Sequence, residues 1–90
     1  MARYIIKLRN NSVLKNWHLL NEEMPEQIER LKLFLQQNPE DRLLSQGKLK
    51  KLKGKLKGIL QYDLTDSYRV HYRVDSHEHI VYVEYIGPHP

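Results

Sequence analysis

The chain has no cysteine, one tryptophan, one phenylalanine, and only four glycines and four prolines among its ninety residues. Without a thiol, a disulfide framework, a cysteine-ligated zinc site and a cysteine nucleophile are all excluded. Any catalysis therefore falls to His, Arg, Lys, Tyr or carboxylates. Long apolar runs are also missing, and the opening Met-Ala-Arg-Tyr-Ile-Ile-Lys has no hydrophobic stretch of the signal-peptide kind. A cytoplasmic location with no membrane association is the expectation. With 40% hydrophobic and 29% charged residues, the chain has enough apolar side chains for one modest core and too many for global disorder. Residues 1–90 are read as a single domain.

Charge is unevenly spread. The net charge is +4, yet residues 48–57 contain Lys48, Lys50, Lys51, Lys53, Lys55 and Lys57 with no acid, whereas residues 58–90 carry more acids than arginines. One block thus supplies more than the whole excess. A lysine block is either a solvated face or a contact for phosphates.

Residues 3–9, Arg-Tyr-Ile-Ile-Lys-Leu-Arg, have the aromatic and β-branched content of a strand. Asn10, Asn11 and Ser12 offer N-caps, and Val13, Leu14, Trp17 and Leu20 follow at the spacing of an amphipathic helix ending near residues 21–24. Pro25 suits the first turn of a second helix. Ile28, Leu31, Leu35 and Phe34 form its apolar face, and Asn38-Pro39 closes it. Residues 40–48 read as a loop, and Leu49, Leu52 and Leu56 as a short helical turn weakened by Gly54.

From Gly58 the period becomes two. Leu60, Tyr62 and Leu64, then Tyr68, Val70, Tyr72 and Val74, alternate with polar residues on either side of a turn at Asp66-Ser67. Ile80 to Ile86 is apolar on both sides and predicts a central strand. The expected fold is α+β in the order β-α-α-β-β-β, a helical hairpin packed on one face of a small antiparallel sheet. The opposite face is expected to present Arg69, His71 and Arg73 to solvent, with Asp63 and Glu84 as possible cross-strand partners of Arg69.

Asn38-Pro39, then Leu52-Lys53-Gly54-Lys55-Leu56-Lys57-Gly58, then Tyr68-Arg69-Val70-His71-Tyr72-Arg73-Val74-Asp75, then Ile86-Gly87-Pro88-His89 follow one another in an order and spacing that resembles the RelE/ParE superfamily of toxins. The resemblance spans nearly the whole chain, and the Gly-x-His ending is most similar to the YafQ-type branch. It implies a RelE-like fold and, for most members, ribosome-dependent cleavage of messenger RNA. A minority poison DNA gyrase. By position, Arg69 matches the arginine that contacts the scissile phosphate, His89 matches the C-terminal acid or base, and the lysines of 48–57 fall where the family contacts RNA. Gln61 and Asp63 stand where the RelE-type branch places two lysines, and Ser67 where YafQ-like sequences have an aspartate.

The chemistry agrees with those residue types. Metal-free RNA cleavage needs a base for the 2′-hydroxyl proton, a cation for the charge on the pentacovalent phosphorus, and an acid for the departing 5′-oxygen. Histidine titrates near neutrality, and the arginine fork matches two phosphate oxygens. His89 is thus the candidate acid or base, Arg69 the candidate clamp, and His71 and Arg73 auxiliary groups on the same strand. No metal or small-molecule cofactor is called for. The expected partners are a cognate antitoxin protein, messenger RNA and the 70S ribosome. Two alternatives are a gyrase inhibitor of ParE type and a non-enzymatic RNA- or ribosome-binding descendant. His77 and His79 raise a metal site only faintly, because no further ligands share their spacing.

Overall fold

The computed structural model describes residues 3–54 and 58–88. Its first helix starts where the sequence offers a cap: Asn10 is extended, and its side chain accepts a 3.0 Å hydrogen bond from the Val13 amide. Helix α1 (Asn11–Glu23) follows strand β1 (Ile5–Leu8). Met24 ends α1 by donating its amide to the Leu20 carbonyl, and it also precedes Pro25, the first residue of α2 (Pro25–Gln37). One residue therefore joins the two helices. Asn38 closes α2 with a 2.8 Å bond from its amide to the Phe34 carbonyl, and Pro39 stops any continuation.

The remaining strands are β2 (Leu49–Lys51), β3 (Leu60–Asp63), β4 (Tyr68–Asp75) and β5 (Ile80–Pro88), arranged in one sheet in the order β1-β5-β4-β3-β2. The α+β class and the helical hairpin over one sheet face are as expected. Two features were not expected. β1 lies parallel to β5, so the sheet is mixed, and a strand that enters a sheet through a long helical crossover leaves no local signal of its neighbour. Leu49–Lys51, read as a helical turn, is instead a strand paired antiparallel with β3, Leu49 opposite Tyr62 and Lys51 opposite Leu60. The three-and-four leucine spacing there loses to a two-residue alternation that buries Leu49 and turns Lys50 to the other side. Leu56, Lys55 and Lys57 lie outside the described residues.

The core lies between helices and sheet. Val13, Leu20, Ile28, Leu31 and Leu35 from the helices meet Val70, Tyr72, Val81, Val83 and Ile86 from the central strands. Each fully buried aliphatic side chain contributes about 1.5–3 kcal/mol. Leu14, placed on the apolar stripe by spacing, is exposed, while Trp17 packs against the rim of the core. The Tyr72 hydroxyl crosses the core to donate a 2.6 Å hydrogen bond to the Pro39 carbonyl, tying the end of α2 to β4. Burial pushes the Tyr62 and Tyr72 phenols up from their ordinary range. Among the described residues no helix is long and apolar enough to cross a membrane.

Candidate functional site

The face of the sheet away from the helices carries the polar residues of every strand. On β4, Arg69, His71 and Arg73 alternate with the core residues Val70, Tyr72 and Val74, so all three share this face. Opposite them on β3 stand Asp63 and Gln61, in register with Arg69 and His71. On the other side, β5 breaks its alternation. His71 pairs with Tyr85 and Tyr72 with Val83, leaving Glu84 as the extra residue of a β-bulge. Val83 and Ile86 are both buried, so Glu84 and Tyr85 are turned outward together.

The expectation that Arg69, His71 and Arg73 all face solvent is met by Arg73 alone of the three. The Arg69 side chain is 12% exposed; its Nε lies 3.1 Å from Asp63 Oδ1, and its Nη1 donates to the Thr65 carbonyl at 2.8 Å and to the Tyr68 carbonyl at 3.3 Å. The Nε–H is off-line for a hydrogen bond to any described group, so the link to Asp63 is an ion pair rather than a directed bond. Asp63 is shared: Lys50 Nζ is 3.5 Å from its second oxygen, and Gln61 Nε2 donates to the first at 3.1 Å. Asp63 therefore works together with the Thr65 and Tyr68 carbonyls to hold Arg69 against the β3–β4 turn.

His71 is 8% exposed. Its Nε2 lies 3.0 Å from Gln61 Oε1, which makes that nitrogen the donor, and its ring lies 5.6 Å from the Tyr85 ring. Two neighbours thus cover a residue that alternation alone places in solvent. Tyr85 also explains the glycine of the Gly-x-His ending. A Cβ on Gly87 would stand 3.0 Å from the Tyr85 hydroxyl, and that hydroxyl donates to the Pro88 carbonyl at 2.5 Å. Gly87 itself pairs with Arg69, and Pro88 with Tyr68. His89 follows Pro88 directly in the chain and lies outside the described residues.

The described lysines of the block, Lys48, Lys50, Lys51 and Lys53, do not form one patch. Lys50 reaches the outer face through Asp63, whereas Lys51 and Lys53 line an apolar groove of about 520 Å³ on the other side of the β2 edge, with Leu52, Ile59 and Val74. Lys48 lines a separate groove beside Phe34, Leu44 and Tyr62. A two-residue alternation distributes neighbouring lysines to opposite faces, which the charge count could not reveal. His77 and His79 are also separated: His79 packs edge-on to Tyr4 at 5.0 Å, and His77 is exposed beside Glu78. Among the described residues no three potential ligands group around a metal position.

Sequence reading missed Tyr85 and Arg9, and it set Glu84 as a possible partner of Arg69, whereas the bulge places it between Arg9 and Arg73. The available signal was the spacing of buried β5 residues, two from Val81 to Val83 but three from Val83 to Ile86, which is the mark of a bulge. The apolar character of Tyr82 and Tyr85 hid it.

With this arrangement known, the whole-molecule comparison is decisive for the fold. The chain superposes on a YoeB/ParE toxin from Agrobacterium tumefaciens with a TM-score of 0.76 at 23% identity, covering 96% of this chain and 99% of that one. This is the fold of RelE- and YoeB-type toxins. The toxin–antitoxin complex RelBE2 from Mycobacterium tuberculosis contains a chain matched at a TM-score of 0.65 and 18% identity, over 98% of this chain and 100% of that one. A chain of the YoeB–YefM toxin–antitoxin complex from Staphylococcus aureus is matched at 0.68 and 16%, over 99% and 100%. No family model and no curated protein matches the sequence. Similarity to the RelE/YoeB-type fold thus persists end to end at identities where the sequence has largely diverged.

Proposed function

We propose that this chain is the toxin of a toxin–antitoxin pair and that it cleaves messenger RNA on the ribosome. The observation that carries the reading is the outer sheet face, where Arg69, His71 and Arg73 share one strand and Arg69 is in register with Gly87, two residues before His89. The end-to-end likeness to toxin chains, two of them solved as complexes with antitoxins, supports both the toxin role and a cognate antitoxin as partner.

In this mechanism His89 serves one of the two proton transfers, taking the 2′-hydroxyl proton or protonating the departing 5′-oxygen, and water serves the other. The 2′-oxygen attacks phosphorus, the bond to the 5′-oxygen breaks, and a 2′,3′-cyclic phosphate remains. Arg69 balances the charge that builds on the phosphorane oxygens. His71, fixed by Gln61, and Arg73 are auxiliary groups, Lys50 contacts the RNA strand on this face, and Lys48, Lys51, Lys53, Lys55 and Lys57 contact surrounding ribosomal RNA. Ion pairing of Arg69 with Asp63 makes the isolated site incomplete, and a bound phosphate competing for that guanidinium would complete it. This is the physical reason to expect dependence on the ribosome, which delivers and orients the RNA.

The test is inducible expression without antitoxin, scored for growth arrest and for cleavage sites mapped by primer extension, with His89→Ala and Arg69→Lys alongside. Arrest with cuts inside translated codons, lost in His89→Ala, is the expected result. Arrest with a DNA-damage response and intact messages would overturn it in favour of gyrase. Ribosome binding without arrest would leave a binding-only descendant of the fold.

A further inference from the structure

Away from the Arg69 end, three strands bring a second set of groups into line on the same face. Lys7 on β1 is in register with Tyr82 on β5, and Tyr82 with Arg73 on β4, so the three side chains form one row across neighbouring strands. At strand separations near 4.8 Å the row spans about 10 Å. Arg9, just beyond β1, donates its amide to the Val83 carbonyl at 3.0 Å, which fixes the chain beside this row. Arg9 Nε and Arg73 Nε each approach one oxygen of Glu84, at 3.4 and 3.1 Å. The carboxylate is recessed, with a side chain 17% exposed, while the two arginines stand 64% and 61% exposed above it. The bulge at Glu84 is what aims it between them.

The arrangement has a directional consequence. Glu84 engages both guanidiniums at Nε, and among the described residues no protein group bonds their Nη atoms. One buried-side carboxylate thereby orients two exposed forks, and with Lys7 the group keeps an excess of positive charge. Tyr82, half-exposed between Lys7 and Arg73, adds an aromatic face. Two anchored cationic forks with a ring between lysine and arginine have the composition of a backbone-plus-stacking contact for a single strand.

Resting on the RNA reading above, we propose that Arg9, Arg73, Lys7 and Tyr82, organised by Glu84, bind a phosphodiester and stack an adjacent base of single-stranded RNA. This gives the strand a second anchor beside the Arg69–His71 region and makes Arg9 and Tyr82 substrate-positioning residues.

The experiment is titration of the full chain with a short fluorescein-labelled oligouridine, 2′-O-methylated to prevent cleavage, over a series of salt concentrations. Arg9→Gln and Tyr82→Leu are compared with Lys15→Gln, which removes an exposed charge from α1; far-ultraviolet circular dichroism checks that each variant is folded. Arg9→Gln is expected to weaken binding several-fold and to lower the slope of log K against log salt by about 0.7–1. Tyr82→Leu should weaken binding about tenfold with the wild-type slope, because stacking releases no counterions. Lys15→Gln should leave the slope unchanged. Equal slopes for Arg9→Gln and wild type overturn the proposal, as does an equal loss in Lys15→Gln, which would mean a diffuse field rather than a site. If an oligoglutamate probe shows the Arg9 effect and oligouridine does not, the patch belongs to an acidic peptide and the proposal fails. Should expressed protein cut messages while Arg9→Gln binds RNA normally, this inference falls and the nuclease reading stands; no RNA binding together with no cleavage removes both.

Discussion

On the outer face of the sheet, Asp63 and Glu84 each lie between two cations. At one end Asp63 meets Arg69 and Lys50; at the other Glu84 meets Arg9 and Arg73. Formal charge is identical, yet the ends differ in what the arginines do. Arg69 lies flat over the β3–β4 turn, spending its guanidinium on the Thr65 and Tyr68 carbonyls. Arg9 and Arg73 rise from a recessed carboxylate into solvent. The difference teaches that burial and nearby backbone acceptors, not charge count, decide whether an arginine holds the fold or waits for a ligand.

Replacing each arginine separates the two cases most sharply. Arg69→Ala removes a largely buried cation and its hydrogen bonds to two carbonyls, and should destabilise the protein by about 2–3 kcal/mol. In a domain of this size that lowers the melting temperature by roughly 10 °C or more. Arg73→Ala disturbs an exposed pair and should change stability by less than about 1 kcal/mol. Thermal melts followed by circular dichroism compare them directly. Similar melting temperatures for the two variants would remove the distinction between a locked and an open end.

Asp63→Asn sharpens the comparison from the anion's side. The amide keeps its shape beside Gln61 but no longer neutralises Arg69 and Lys50. Stability should fall by about 1 kcal/mol, while affinity for the methylated oligouridine rises and the salt slope steepens by about 0.7, the increment for one further phosphate contact on a single strand. An unchanged slope would mean that Asp63 does not withhold Arg69 from nucleic acid.

The core side of β4 provides a third contrast, because its polar group is used up in packing. Tyr72 keeps its proton in the folded state well above the pH at which an unfolded tyrosine loses it, since burial raises its phenol. Above about pH 10 the unfolded chain therefore binds fewer protons than the native one, and stability falls as pH rises, by at most about 1.4 kcal/mol per unit for one such group. Tyr72→Phe should lose about 1 kcal/mol at neutral pH, from the unpaired Pro39 carbonyl, and should be less sensitive to alkali than wild type. Urea denaturation at neutral and alkaline pH measures both; a variant with undiminished alkaline sensitivity would assign the effect elsewhere.

Much of this architecture was legible in the residues. Asn10, Pro25 and Asn38-Pro39 mark helix boundaries through local backbone chemistry, and the two-residue alternation of β3 and β4 places Val70 and Tyr72 in the core. Ile80 to Ile86, apolar on both sides, does lie between two neighbouring strands. What was not legible depends on partners distant in sequence. The parallel pairing of β1 with β5 brings Arg9 to Glu84 across some seventy-five residues, and no local pattern encodes that. The residue types of the site were visible, Arg69 and Arg73 among them, but their opposite roles arise from cross-strand register and one bulge. Even the lysine block, conspicuous as charge, is divided by a strand whose three-residue length gives too little alternation to stand out from leucines at helical spacing.

The smallest effect expected belongs to Tyr85 on β5, beside the Gly87 that pairs with Arg69. Gly87 leaves room for the Tyr85 ring, and an alanine there would place its Cβ 3.0 Å from the hydroxyl. The phenol is the far end of a side chain that can rotate, so the methyl would displace it from the Pro88 carbonyl, and because Gly87 holds φ +159°, where an alanine is strained whatever the space, Gly87→Ala carries a backbone cost as well. Tyr85→Phe, which deletes that bond without adding a methyl, should lose only about 0.5 kcal/mol, the low end for one exposed neutral hydrogen bond, whereas Gly87→Ala should lose about 1–3 kcal/mol more through its backbone. If Tyr85→Phe also reduces cleavage in the expression assay while the melting temperature hardly moves, the Tyr85–Pro88 bond orients the chain on its way to His89, and the locked end extends to the tail. If Gly87→Ala loses no more than Tyr85→Phe, the backbone at Gly87 tolerates a side chain, and the glycine serves only to make room for the tyrosine.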